Sequence, residues 1–186
     1  METTLIILAG GKSSRMGFDK GLLKVKDKYI IQDLIDELSK TFTNTLISAN
    51  NKEYEMFKLP IISDKIKDIG PIGGIVSCLE KSKTDLNVFI SCDSPYIKLG
   101  TLNKLILSSV ESNADIVYSN YKNKTHPFPG CFNKRIFPKL NKLVLNGERK
   151  MTSLFNYFNI GYVDFSYEKE DFFLNLNNPD DLKKIE

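Results

Sequence analysis

Residues Leu8 to Leu23 read LAGGKSSRMGFDKGLL and concentrate what a polyphosphate site needs. Gly10 and Gly11 let backbone N–H groups approach phosphate oxygens with no Cβ in the way. Ser13 and Ser14 add hydroxyls, Arg15 can fork onto two oxygens at once, and Lys20 supplies a compact charge. Two familiar phosphate motifs fail here. A P-loop needs glycine five residues before Gly11-Lys12-Ser13, where Ile6 stands, and a dinucleotide fingerprint starting at Gly10 needs a third-position glycine, where Lys12 stands. The complementary chemistry is acidic. Asp93, in Phe89-Ile90-Ser91-Cys92-Asp93-Ser94-Pro95, is expected just past the C-terminal end of a strand, where ligands bind in open α/β sheets. Magnesium takes oxygen ligands and needs only one or two carboxylates when phosphates and waters fill the rest. The alternative for Asp93 is a cap on the turn before Pro95.

These residues require elements to hold them. Thr4–Leu8 reads as a buried strand running into the glycine loop, which extends to about Lys28. Tyr29–Lys40 reads as an amphipathic helix, with Ile30, Leu34, Ile35 and Leu38 on one face. Strands follow at Thr45–Ser48, Leu59–Ile62, Leu86–Ile90 and Asp115–Tyr118. Between them come a short helix at Glu53–Lys58, a helix opened by Pro71 and a helix at Leu99–Ser112. Beyond His126 the order loosens: a strand near Pro129–Phe132, helices near Lys134–Leu145 and Met151–Tyr157, a strand near Tyr162–Phe165, and a last short helix from Asn178-Pro179. Alternating strands and helices predict a mainly parallel sheet covered on both faces, in one domain spanning residues 1–186.

Composition narrows the partners. With 26 Lys and Arg against 23 Asp and Glu, the formal charge of +3 is too small to argue for nucleic acid or membrane. Cys78, Cys92 and Cys131 stand far apart with no CxxC pair, which fits reduced thiols better than a disulfide framework or a zinc site. The short Leu5–Leu8 run has no basic flank and no long apolar stretch, so neither signal peptide nor membrane anchor is expected, and the expected location is the cytoplasm.

The LAGGKSSRMGFDKGLL string resembles the signature of the molybdenum cofactor guanylyltransferases, LAGGxSxRMGxDKxLL. The resemblance continues along nearly the whole chain. Cys92-Asp93-Ser94-Pro95-Tyr96-Ile97 is similar to that family's CD-x-P motif, whose aspartate holds the metal, and implies Asp93 as magnesium ligand. Asp64, ahead of Gly70-Pro71-Ile72-Gly73-Gly74, resembles the D-x(n)-GPLAG segment, with Ile72 and Gly73 where Leu and Ala are usual. It implies nucleotide binding through Asp64, with Gly73 among glycines that leave one wall open for a purine; Asp68 reads as a solvated loop charge. His126-Pro127-Phe128 is similar to an H-P-T/S segment with Phe128 in place of the hydroxyl, and His126, the only histidine, reads as a hydrogen-bonded structural residue more readily than as a catalytic one. Asn175-Leu176-Asn177-Asn178-Pro179 resembles the closing N-x-N-T-P, so Asn175 and Asn177 could face the acceptor. One departure lies at the second strand, which commonly ends in asparagine in that family. Ser48 aligns there, with Asn50 two places on.

The resemblance implies a Rossmann-like three-layer α/β/α fold of the nucleotide-diphospho-sugar transferase (glycosyltransferase-A-like) type. It implies attack by the terminal phosphate of molybdopterin on the α-phosphorus of GTP, releasing pyrophosphate. Arg15, Lys20 and Asp93 would be the catalytic set, and Leu8, Ala9, Gly10, Gly11, Lys20, Asp64, Gly73, Asp93, Asn175 and Asn177 the binding set. Magnesium is the expected metal, and molybdoenzymes or cofactor-assembly proteins the expected recipients. The rivals are a cytidylyl- or sugar-phosphate nucleotidyltransferase, and a non-catalytic GTP-binding protein that delivers the cofactor.

Overall fold

A computed structural model of the chain describes residues 1–9, 19–25, 27–169 and 173. Its centre is a seven-stranded sheet. In chain order the strands are β1 (Thr3–Leu8), β4 (Asn44–Ser48), β5 (Ile61–Ile62), β6 (Leu86–Ser91), β7 (Ile116–Tyr121), β8 (Lys124–Asn133) and β9 (Ile160–Asp164), and in space β5-β4-β1-β6-β8-β7-β9. β2 (Lys24–Val25) and β3 (Lys28–Tyr29) form a separate small hairpin. The sheet is parallel except at β8, which pairs antiparallel with both β6 and β7.

Strand periodicity explains the three layers. Leu5 and Ile7 of β1 point to one face, with Val88 and Ile90 of β6, and meet Ile31, Leu34, Ile35 and Leu38 of α1 (Ile30–Leu38) and Leu102 and Leu105 of α3 (Leu99–Ser112). Ile6, Leu8 and Phe89 point to the other face, against Ile72, Ile75, Val76 and Leu79 of α2 (Pro71–Lys81) and Leu140 and Val144 of α4 (Phe137–Leu145). β1 is buried on both sides along its whole length, as a central parallel strand should be.

The α/β/α reading therefore holds, and the differences are local. The expected loop up to Lys28 contains the β2–β3 hairpin, turned through Asp27 at φ +64°. The strand expected at Pro129–Phe132 runs from Lys124 to Asn133. Its two internal prolines, Pro127 and Pro129, mask it in the sequence. The helix expected from Lys134 begins as a 3-10 turn and becomes α-helical only at Phe137, where Pro138 sits in the first turn. The short helices expected at 53–58 and 151–157 are 3-10. The helix expected at Asn178-Pro179 lies outside the described residues.

Candidate active site

Strand order puts the site in place. β1 leads outward to β4 and β5 on one side, and the chain then returns to β6 on the other. The strand order therefore reverses at β1, and in open α/β sheets ligands bind at the C-terminal strand ends beside such a reversal. Backbone bonds keep the two neighbours of β1 in step there: Ala9 N–H donates to the Ser48 carbonyl (2.9 Å), and Cys92 N–H to the Leu8 carbonyl (3.0 Å). A cleft of about 800 Å³ opens at this edge. It is lined by Leu8 from β1, Asn50 and Asn51 after β4, Asp64 after β5 and Ser91 from β6. Asp19, Lys67, Asp68, Gly70, Pro71 and Phe128 complete the wall.

Lys20 and Asp93, 73 residues apart, meet beside the cleft-lining residues Asp19 and Ser91. Lys20 Nζ lies 3.2 Å from Asp93 Oδ2, while the Ser91 hydroxyl donates to Oδ1 at 2.6 Å. The two charged side chains are only 19% and 16% exposed, so their attraction is weakly screened by salt. The adjoining Cys92 thiol is held protonated, chiefly by burial and then by the charges of Asp93 and Asp19.

Asp64 faces Asn50 in a reciprocal pair. The Asn50 amide donates to Oδ2 (3.2 Å), and Asp64 N–H donates to Asn50 Oδ1 (2.9 Å). Burial raises the Asp64 pKa above the ordinary carboxylate value, and the Asn50 bond opposes the rise. It is thus Asn50, beyond the strand end, that presents an amide to the cleft. Ser48 is buried, its Oγ only 2.6 Å from where a Cβ on Gly74 would stand.

Gly73 is placed differently from the open purine wall expected of it. Its absent Cβ points at the Ile66 carbonyl (2.9 Å) and Ile69 Cγ1 (3.0 Å). It lines a smaller, largely apolar cavity of about 180 Å³ beside Val76 and Val144, while Gly70 and Pro71 line the main cleft. Asp68, read as a solvated charge, also lines the cleft. His126 sits opposite Ser119 in the β7–β8 pairing, its ring 4.4 Å from that of Phe173. Burial, with a smaller contribution from Lys124, lowers its pKa and favours the neutral imidazole. Gly10, Gly11, Arg15, Asn175 and Asn177 lie outside the described residues.

Sequence reasoning passed over Asp19 and Tyr54. Asp19 caps the 3-10 turn Lys20–Leu22 by accepting from Gly21 N–H (3.2 Å), and it also accepts from the Tyr54 hydroxyl. Asp19 could have been singled out by its position beside Lys20. Nothing in the sequence flags Tyr54.

Among the described residues no group of three or more His, Cys, Asp or Glu side chains is arranged to hold a metal. Asp93 offers one carboxylate backed by a hydroxyl. That donor set suits a hard cation that draws its other ligands from phosphate and water, as magnesium does, and not a zinc cage.

Comparison with known proteins identifies the fold and its family. The MobA-like NTP transferase domain matches residues 5–161. The chain belongs to this family. It is a nucleotidyltransferase. A molybdenum cofactor guanylyltransferase of Vibrio campbellii is 37% identical, with 99% of this chain and 95% of the relative covered. A probable molybdenum cofactor guanylyltransferase of Flavobacterium johnsoniae is 34% identical over 100% and 97% of the two chains. The crystal structure of molybdopterin-guanine dinucleotide biosynthesis protein A from Archaeoglobus fulgidus superposes with a TM-score of 0.82 at 23% identity, covering 97% of this chain and 95% of that one.

Proposed function

We propose that this MobA-like NTP transferase moves the GMP moiety of GTP onto molybdopterin, as one nucleotidyltransferase domain over residues 1–186. A phosphate oxygen of molybdopterin forms a bond to the α-phosphorus of GTP, and the bond to the departing pyrophosphate breaks. The reading rests above all on the Lys20–Asp93 pair, which adjoins the cleft through its lining neighbours Asp19 and Ser91, with the Asn50–Asp64 pair in the wall of the same cleft. The guanylyltransferase names of its relatives support guanine as the base.

The reaction brings an anion against a polyanion. Two unit charges about 4 Å apart repel by roughly 4 kcal/mol at an effective dielectric near 20. The nucleophile is already ionised, so charge neutralisation matters more than proton transfer. No protein nucleophile is required. Lys20, with Arg15, would hold the charge that develops on the α-phosphate and the leaving group. Asp93 would hold magnesium, which supplies further neutralisation of the phosphate oxygens. Asp64 and Asn50, with the start of α2, would orient the nucleoside; Leu8, Ala9, Gly10 and Gly11 would belong to the nucleotide-binding set.

The acceptor would enter from the β8 side. Antiparallel to β6, β8 brings its early residues to the cleft edge, and Phe128 there lines the cleft. Aromatic surface of this kind suits a flat heterocycle, and Asn175 and Asn177 would add amides. No helix among the described residues is long and apolar enough to cross a membrane; we place the reaction in the cytoplasm, with molybdoenzymes or their assembly proteins receiving the product.

The test is incubation with molybdopterin and magnesium, offering GTP, CTP and ATP in parallel, with the product read by mass. A guanine dinucleotide and pyrophosphate formed from GTP alone is the expected result. A cytosine product, or nucleotide binding without pyrophosphate release, would overturn the reading.

A further inference from the structure

The turn that carries Lys20 is held by a second contact besides the one with Asp93. Asp19 caps the turn through Gly21 N–H, and the same carboxylate oxygen, Oδ1, accepts from the Tyr54 hydroxyl. Tyr54 is fully buried. Its ring fills the seat that Gly21 leaves open: a Cβ on Gly21 would stand 2.4 Å from the Tyr54 oxygen and 3.2 Å from Cε1. Phe57 packs on the Tyr54 ring at 5.9 Å, and Tyr29 packs edge-on against Phe57 at 5.6 Å, so the phenol has little room to swing away. Burial above all, with the contact to Asp19, holds the Tyr54 phenol far above its ordinary pKa. It is a donor at any working pH.

Tyr54 belongs to the 3-10 helix Lys52–Phe57, which follows Asn50 and Asn51 directly, and Asn51 caps that helix by accepting from Glu53 N–H at 3.0 Å. One short piece of chain thus carries two cleft-lining asparagines at its start and the Asp19 partner a turn later. We infer that Tyr54 is a positioning residue for Lys20, locking the Asp19–Gly21 turn to the wall that receives the nucleoside so that the ammonium is pre-set at Asp93. This inference rests on the phosphate-binding role given to Lys20 above. Loss of the phenol hydroxyl leaves the ring in place and the capping Asp19 carboxylate held only by Gly21 N–H. Lys20 then samples more positions, and transition-state stabilisation falls with little change in GTP affinity.

A double-mutant cycle tests it, reading pyrophosphate release at saturating GTP and magnesium with molybdopterin. Tyr54→Phe is expected to lower kcat about tenfold, the scale of one hydrogen bond to a charged group, with the KM for GTP within about twofold. In a Lys20→Ala background the same change is expected to cost less than about twofold, because residues acting as one unit are not additive. An equal Tyr54→Phe factor in both backgrounds, with Lys20→Ala itself slow, overturns the positioning role alone. A normal rate for Lys20→Ala overturns the phosphate role of Lys20 as well. If Tyr54→Phe does not fold, Gly21→Ala, which pushes on the same hydroxyl, is carried through the identical cycle with the same two readings.

Discussion

The two halves of the sheet contribute unlike material to one edge. In the parallel half, β5-β4-β1-β6, three of the four strands hand over polar residues there: Asp64 after β5, Asn50 after β4, and Ser91 at the end of β6 with Asp93 bonded to it. In the β8-β7-β9 half the strands bring rings. Phe128 lines the cleft, and Tyr121 (5.1 Å) and His126 (4.4 Å) stack on Phe173. Parallel strands place all their C-terminal ends on one side, so charges distant in sequence converge by topology alone. The antiparallel β8 reaches that edge from its opposite end. Under the proposed function this becomes a division of labour in which the charged half would handle phosphate and the aromatic half the acceptor.

Substitutions on either side should separate the two roles. The largest effect is expected for Asp93→Ala, with metal-dependent pyrophosphate release falling about a thousandfold or more; near-normal turnover would remove the metal assignment. Lys20→Ala should cost on the order of a hundredfold in rate with GTP still bound, which single-turnover kinetics can separate from binding. In the other half, Phe128→Ala should raise the KM for molybdopterin about tenfold and leave that for GTP unchanged. A shift in the GTP constant instead would erase the division proposed here.

Smaller effects probe the frame beneath the charged half. Gly74→Ala would set a methyl 2.6 Å from Ser48 Oγ and 3.2 Å from Leu8 Cδ2, both buried under the cleft. Overpacking of that kind costs about 1–3 kcal/mol, readable as a lower midpoint in urea. Asp64→Asn should act in opposite directions on binding and stability. Burial favours the protonated Asp64 carboxyl, so its folded pKa exceeds the unfolded one. The stability this contributes is complete below the unfolded pKa and is lost as pH rises through the folded value. At pH 7 the buried charge therefore costs the fold something that asparagine avoids. The variant should bind GTP more weakly, yet its Tm at pH 7 should exceed that of the unaltered chain, with the advantage shrinking as pH falls toward the carboxylate range. A lower Tm at pH 7 would mean that the Asn50 pairing outweighs the burial.

The charged half was also the more legible in sequence. Five apolar or β-branched residues in a row at Thr4–Leu8 admit little but a buried strand, and Leu99–Ser112 is observed with the bounds its pattern predicts. Lys20 and Asp93 could be picked out because each sits in a dense motif beside a strand end. The aromatic half was harder to read: Pro127 and Pro129 interrupt the pattern of β8, and its antiparallel direction leaves no local signature. Gly73 was misplaced because helical rotation, invisible in a glycine-rich string, turns it toward Ile66 and away from the cleft. The shift from Ser48 to Asn50 has a similar cause. Ser48 is still paired with Leu8 and Ile62 inside the sheet, so the first side chain free to enter the cleft comes two residues later. Tyr54 reaches Asp19 across 35 residues through packing alone, a contact that no spacing rule reveals.

The central claim is that one carboxylate across the sheet edge anchors the cation of a triphosphate held by the loop ending at Lys20. A crystal grown with manganese and a non-hydrolysable GTP analogue tests it directly, because manganese scatters anomalously. The account requires an anomalous peak beside Asp93, with Lys20 Nζ moved from Oδ2 toward the phosphates and guanosine against Asn50 and Asp64. A peak elsewhere, or a nucleotide bound away from this edge with Lys20 still on Asp93, would contradict it.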